Sequence, residues 1–228
     1  MIHGAGGGGW EYEKWKPVFE KAGFLVIAHD LVPAKGGLAK THFKDYLAQV
    51  ARWSKQAKRP LVLAGASMGG ILALKSAERL KPDAIVLINA ATPKSVPRKR
   101  SGKPAPSVIR WANGPLKDTR DAMPDSDEAT ILAAHKRWRD ESGSVVNAIR
   151  TGIEAKKPLC PSLVVVGEKD MDIPPETSRR LAKWLGADVK AYEGMSHVGP
   201  LLSTRAEEVA RDVISWLNRA INVIPPGA

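Results

Sequence analysis

A chain of 228 residues, 43% of them hydrophobic, is long enough to bury a sizeable core within one α/β domain. Its single cysteine, Cys160, excludes an intramolecular disulfide. No charged-then-apolar leader and no apolar run approaching about 18 residues is present, so we expect a cytoplasmic protein without a membrane span. The 35 Lys and Arg against 24 Asp and Glu give a net charge of +11, a balance that admits anionic partners without naming one.

In chain order, the opening Met1-Ile2-His3-Gly4-Ala5-Gly6-Gly7-Gly8-Gly9-Trp10 is a glycine loop ahead of a helical pattern over 11–22. A strand pattern at 24–29 precedes a helix at 40–57, a strand at 60–65 and a helix at 69–80. A further strand at 84–89 ends in Asn89. After residues 94–158 come a strand at 162–167, a helix at 176–185, a strand at 188–193 and a helix at 205–220. Such alternation predicts a mostly parallel sheet with helices on both faces. The stretch 94–158 interrupts it with amphipathic patterning through Ile131 to Trp138 and Val145 to Ile149, which predicts a helical cap or lid inserted over the catalytic edge. The expected core is therefore 1–93 with 159–228, and the cap 94–158.

Ser67 lies where the apolar run Leu61 to Ala66 meets Gly65-Ala66-Ser67-Met68-Gly69-Gly70 and then a helix-forming segment. A serine is thrust above the end of a buried strand only if the chain turns sharply into a helix, and that turn leaves no room for β-carbons at Gly65 and Gly69. It also aims the Met68 N–H and the positive end of the helix at the place where an acyl oxyanion would form. An inert turn is the plain alternative, and the strand-before, helix-after context argues against it.

The order Ser, acid, His then points beyond the next strand ends. Glu168, Asp170 and Asp172 compete for the acid after 162–167. We favour Asp170, because Asp172 beside Ile173-Pro174-Pro175 reads as the start of the next helix. His197, after 188–193, is the candidate base; His42 and His135 fall in apparent helices, and His29 with Asp30 precedes the serine turn. In the opening loop the glycines let backbone N–H groups approach a ligand, which makes Ala5 N–H the expected second oxyanion donor with Met68 N–H. A phosphate cradle is the competing reading, and the chain has no Gly-Lys-Ser/Thr to support it.

Together, His3-Gly4-Ala5 through Trp10, the Ser67 turn, Asp170 before Ile173-Pro174 and Gly194-Met195-Ser196-His197 resemble the α/β-hydrolase superfamily over nearly the whole chain. The opening loop and Trp15-Lys16-Pro17-Val18-Phe19-Glu20-Lys21-Ala22-Gly23-Phe24 are most similar to the methylesterase and hydroxynitrile-lyase branch and its bacterial esterase relatives. The resemblance implies an α/β-hydrolase fold, Ser67, Asp170 and His197 as a triad, and Ala5 with Met68 as the oxyanion hole. The lyases of that branch carry a threonine where this chain has Gly4 and a lysine where it has Val198, so an esterase is expected.

The expected activity is hydrolysis of small to medium, largely apolar carboxylic esters through an acyl-enzyme, with a small-molecule ester as partner and with no metal or organic cofactor. Gly4, Gly6, Trp111, Ile131, Trp138 and Val198 are the candidate substrate contacts, although an apolar stripe on a helix serves packing more often than a pocket. A slow hydrolase or ligand-binding receptor on the same fold, a lyase-like or amide-hydrolysing relative, and an electrostatic binding module are the alternatives. Between Lys94 and Lys117 there are seven basic residues and no acidic one, with only Trp111 to stack on a base, so a solvated loop is expected rather than a nucleic-acid surface. Only Met1 and Ile2 precede His3. A stunted first strand without a leading hairpin is therefore predicted, with the apolar tail at 221–224 a possible cover for the gap.

Overall fold

Three short apolar runs and a more polar edge strand build the centre of the molecule. In the computed structural model, which describes residues 1–97 and 103–221, the elements in chain order are α1 (Lys16–Lys21), α2 (Phe43–Trp53), β1 (Val62–Ala66), α3 (Met68–Leu80), β2 (Ala84–Ile88), β3 (Val108–Ile109), α4 (Leu116–Ala122), α5 (Glu128–His135), β4 (Glu141–Ser142), α6 (Gly143–Thr151), β5 (Ser162–Gly167), α7 (Pro175–Leu185), β6 (Asp188–Tyr192), α8 (Gly199–Leu202) and α9 (Ala206–Ala220). Strands β1, β2, β5 and β6 pair in that order, all parallel, with Val62 opposite Ala84 and Leu163 opposite Asp188.

The interior strands have no solvent face. Along β2, Val86 and Ile88 join a cluster with Trp15 and Phe19 near α1 and with Val213 and Leu217 of α9, while Ile85 and Leu87 join one with Ile71 of α3, Val50 of α2 and Leu181 of α7. Alternate side chains thus enter opposite layers of core, each large one stabilising the fold by about 1.5–3 kcal/mol. Trp15 is fully buried, stacks on Phe19 with ring centres 5.5 Å apart, and donates from its indole to Pro200 O at 2.8 Å, which fixes α1 against α8.

The strand expected at 24–29 is absent. A strand is held by its neighbour, and on this side the neighbour is reduced to Ile2, which makes a single parallel bridge to Gly65 through Ile2 N to Ala64 O at 2.8 Å and Ala66 N to Ile2 O at 3.1 Å. Residues 24–28 are tied to the Met1–Ile2 segment, among the described residues, by the hydrogen bond that the Met1 amino group donates to Ile27 O at 2.7 Å. Between them and β1 lies a cavity of about 400 Å³ lined by Phe24, Val26, Val62, Ala64, Val86 and Leu217 among others. By the alternation of the pleat, the Val62 backbone groups and Ala64 N–H face the same way as the Ala64 O that Ile2 takes, into this slot. The expected tail cover falls mostly on 222–228, outside the described residues, as do Arg98, Lys99 and Arg100 of the basic stretch.

Between Lys94 and Pro158 the described residues form α4, α5 and α6 and the antiparallel pair β3 and β4. This stretch is sewn to the sheet layers: α6 packs on α2 and α3, Tyr46 OH donates to Glu141 Oε1 at 2.7 Å, and Ser142 Oγ donates to Thr41 O at 2.7 Å. No helix among the described residues is long and apolar enough to cross a membrane.

Candidate active site

Ser67 sits between the last residue of β1 and the first of α3, with φ 50° and ψ −118°. A non-glycine residue in that region is strained, and the surroundings enforce it. Ser67 N donates to Ile88 O, and Ser67 O accepts from Gly70 N and Ala91 N, all at 3.0 Å. The flanking glycines are contact positions: a β-carbon on Gly65 would stand 2.2 Å from Gly69 O, and one on Gly69 would stand 2.0 Å from Ile2 O. Ser67 is thereby held at the carboxyl edge of the sheet, at the positive end of a 13-residue helix.

Two further loops arrive at the same edge. After β5, Asp170 is buried at 3% exposure; its Oδ1 accepts from Asp172 N at 2.9 Å and Ile173 N at 2.8 Å. Its Oδ2 meets His197 Nδ1 at 2.8 Å. An ionised carboxylate only accepts, so Nδ1 carries the proton and Nε2 is left as the basic nitrogen. Asp172, with an exposed side chain, stands 4.0 Å from Nε2, and Glu168 turns away into an ion pair with Arg179. Burial pulls the His197 pKa down, but the Asp170 hydrogen bond and the charges of Asp170, Asp172 and Glu11 outweigh it and raise the pKa above its usual 6.5.

Side chains without a recognisable motif hold the His197 loop. Asn89, at the end of β2 with φ 41°, donates from Nδ2 to His197 O at 2.7 Å and accepts Gly167 N at 2.8 Å, so one amide ties β2, β5 and the loop together. Asp125, between α4 and α5, accepts Ser196 N at 3.0 Å and Ser196 Oγ at 2.6 Å.

The opening loop is clamped almost atom by atom. His3 is buried; its Nε2 accepts Leu31 N at 2.8 Å, so Nδ1 donates to Gly4 O at 2.7 Å, and burial lowers its pKa to about 4, leaving it neutral. Gly4 N donates to Glu11 Oε2 at 3.0 Å, Gly6 N to Glu141 Oε2 at 3.1 Å, and Gly7 N to Gly4 O at 3.4 Å. Arg139 supplies its own N–H to Gly6 O and its Nε to Gly7 O, both at 2.7 Å. Among the described residues, Ala5 N–H and Met68 N–H have no acceptor. The loop lies against Ser67, since a β-carbon on Gly4 would stand 3.4 Å from Ser67 Cβ.

Of the expected substrate contacts, Gly4, Gly6 and Trp111 come together: the partly exposed Trp111 ring covers Gly6 so closely that a β-carbon there would fall 2.5 Å from Trp111 Cε3. Ile131 is buried in the core beneath α5, Trp138 packs edge-on to Trp10 with ring centres 4.9 Å apart, and Val198 packs on the same core directly after His197. His29 is exposed and bonds Gln56, while Asp30 accepts Gly9 N at 2.7 Å. Glu11, Asn89, Asp125, Arg139 and Glu141 were not singled out from sequence as parts of the site; each is a single polar residue outside any motif, and all but Glu11 find their partners far along the chain.

The model of the alpha/beta hydrolase family matches residues 1–212. The chain belongs to the alpha/beta hydrolase family. This alpha/beta hydrolase is 30% identical, over 192 residues, to a thermostable monoacylglycerol lipase of Bacillus sp. (strain H-257), a match spanning 77% of this chain and 71% of the lipase. Its fold is also that of tomato methylketone synthase I (TM-score 0.76, 17% identity, 96% of each chain) and of a pyrethroid hydrolase from Sphingobium faniae JZ-2 (TM-score 0.75, 20% identity, 97% of each chain).

Proposed function

We propose that this hydrolase cleaves small to medium, largely apolar carboxylic esters through an acyl-enzyme on Ser67. In the first half-reaction Ser67 Oγ attacks the ester carbonyl carbon while His197 Nε2 takes the hydroxyl proton. The resulting imidazolium is stabilised by Asp170, and the oxyanion accepts from Ala5 and Met68 N–H. Collapse of the tetrahedral adduct breaks the bond to the alcohol oxygen, which leaves with the proton from His197. Water then repeats the sequence on the acyl-serine, releasing the carboxylic acid and restoring Ser67 Oγ–H.

One observation carries the reading. From Gly4 to Gly7 every backbone N–H but that of Ala5 is engaged, and Ala5 N–H stays open beside a strained serine whose following N–H is open too. Amides withheld from water without a partner are costly, and with Met68 buried and Ala5 half-buried, such a pair beside a nucleophile fits an incoming oxyanion. The name of the Bacillus relative supports an ester substrate. Trp111 over Gly6 supports residues 94–158 as a cap that shapes the acyl or alcohol pocket. Gly4 and Val198 weigh against cyanohydrin cleavage, as they replace the threonine and lysine of the lyase branch.

The test is covalent. A serine-directed organophosphate should add once, at Ser67, and Ser67→Ala should fold normally while losing turnover of chromogenic short-chain esters by several orders of magnitude. Labelling at another serine, or near-normal turnover by the variant, refutes the mechanism.

A further inference from the structure

We infer that Glu11 is a positioning residue for the oxyanion hole, holding the Gly4 to Gly7 loop from beneath so that Ala5 N–H faces the reacting carbonyl oxygen, and that its charge acts on His197. The inference rests on the acyl-enzyme reading above and assigns Glu11 a role that the hydrolytic steps themselves leave unused.

The geometry is specific to this side chain. Glu11 is 4% exposed, at the end of the glycine loop that it supports. Its Oε2 takes the Gly4 N–H at 3.0 Å, and its other oxygen fills the space under Gly7, where a β-carbon would fall 1.5 Å from Glu11 Oε1. A peptide unit is planar with its N–H opposed to its C=O. Gly4 O is pinned by His3 Nδ1–H, so Ala5 N–H must point the other way, provided that the preceding peptide is also fixed. Glu11 fixes that preceding peptide through Gly4 N. Remove the acceptor, and the one open amide of the loop loses its aim.

A carboxyl sealed from water with, among the described residues, a single hydrogen bond to it is an expensive choice for mere packing. Burial raises its pKa from 4.5 to about 7, against the pull of Gly4 N–H, His197 and Arg139 and with the push of Asp30. The charged and titratable groups that face it are therefore His197 from the loop after β6, Arg139 before β4, Asp30 after 24–28, and the neighbouring Tyr12. His197 in turn faces Asp170, Asp172 and Glu11. When ionised, Glu11 favours the His197 imidazolium.

Two variants separate the roles: Glu11→Gln keeps an oxygen for Gly4 N–H and drops the charge, while Glu11→Ala drops both. With active sites counted by organophosphate burst, Glu11→Ala should lower kcat by about 10- to 100-fold with KM within about 3-fold, the range expected for a misaimed oxyanion donor. Glu11→Gln should recover most of that kcat. In both, the midpoint of the rising limb of kcat/KM against pH should move to lower pH, since His197 loses a negative neighbour. A purely structural Glu11 would reduce yield and thermal stability but leave kcat per active site and that midpoint unchanged, and this outcome overturns the inference. If Glu11→Ala does not fold, the Glu11→Gln profile decides alone: an unmoved midpoint refutes the inference. Failure of the underlying reading looks different, because wild-type protein would then show no burst at Ser67.

Discussion

Chain extension at the amino terminus should stabilise the protein in a pH-dependent way. The Met1 amino group is buried, and burial lowers its pKa from 8.0 to about 5 while it donates to Ile27 O. The unfolded chain then binds a proton below about pH 8 that the native chain refuses until about pH 5. Stability linked to this group is present above pH 8 and is lost as pH falls towards 5, by about 4 kcal/mol in all at 1.36 kcal/mol per unit. A four-residue extension of alternating Thr and Val turns the amine into a peptide N–H that can make the same bond, carries the charge into solvent, and offers partners to Val62 and Ala64 along the 400 Å³ slot. Urea unfolding of both chains at pH 5, 7 and 9 reads the effect. The extended chain should be more stable at pH 9, through burial and ladder bonds alone, and its advantage at pH 5 should be larger by about 4 kcal/mol. An advantage that does not change with pH refutes the burial of the amine; no advantage at pH 9 refutes the slot as a place for a strand.

Asp170→Asn should lower turnover by about 10⁴-fold, because an amide favours the wrong imidazole tautomer, whereas Asp172→Asn and Glu168→Gln should cost far less. In the wild type, kcat/KM should rise with pH through a midpoint above 6.5, since His197 must be neutral to take the Ser67 proton and its pKa is raised. A more damaging Asp172→Asn would reassign the acid. Neutralising Arg98, Lys99 and Arg100 together should leave hydrolysis of a neutral short ester nearly unchanged, since a neutral substrate offers no charge for them to steer; a loss confined to an anionic ester and mimicked by added salt would show steering instead.

The parts of this molecule that were legible in the sequence are those where local chemistry and global position agree. Residues 162–167 read as a buried strand and are one, because nothing but a two-sided core takes Leu163-Val164-Val165-Val166. The turn at Ser67 was readable because glycines at fixed offsets are steric demands of a single backbone path. The run 24–29 is no less apolar and forms no strand, because pairing belongs to the neighbour and the neighbour is one bridge long. Asn89 was read only as a strand end without an acid; its amide turns out to link three elements that meet only in three dimensions. Glu141 and Arg139 were equally silent, since the Tyr46, Gly6 and Gly7 groups that they hold lie 95 to 135 residues away.

Those distant partners bear on how such a protein could change its diet. Asp125 holds Ser196, Arg139 holds Gly6 and Gly7, and Glu141 holds Gly6, and all three lie in the same stretch between β2 and β5 that carries Trp111. A recombination that exchanged this stretch for a foreign one would remove the staples of the Gly4–Gly7 and His197 loops together with the Trp111 ring over Gly6. If Trp111 walls the pocket as proposed, new preferences are more accessible by point changes around it than by transplanting the whole segment, and any chimera has to bring carboxylates for Ser196 and Gly6 and a guanidinium for Gly7 with it.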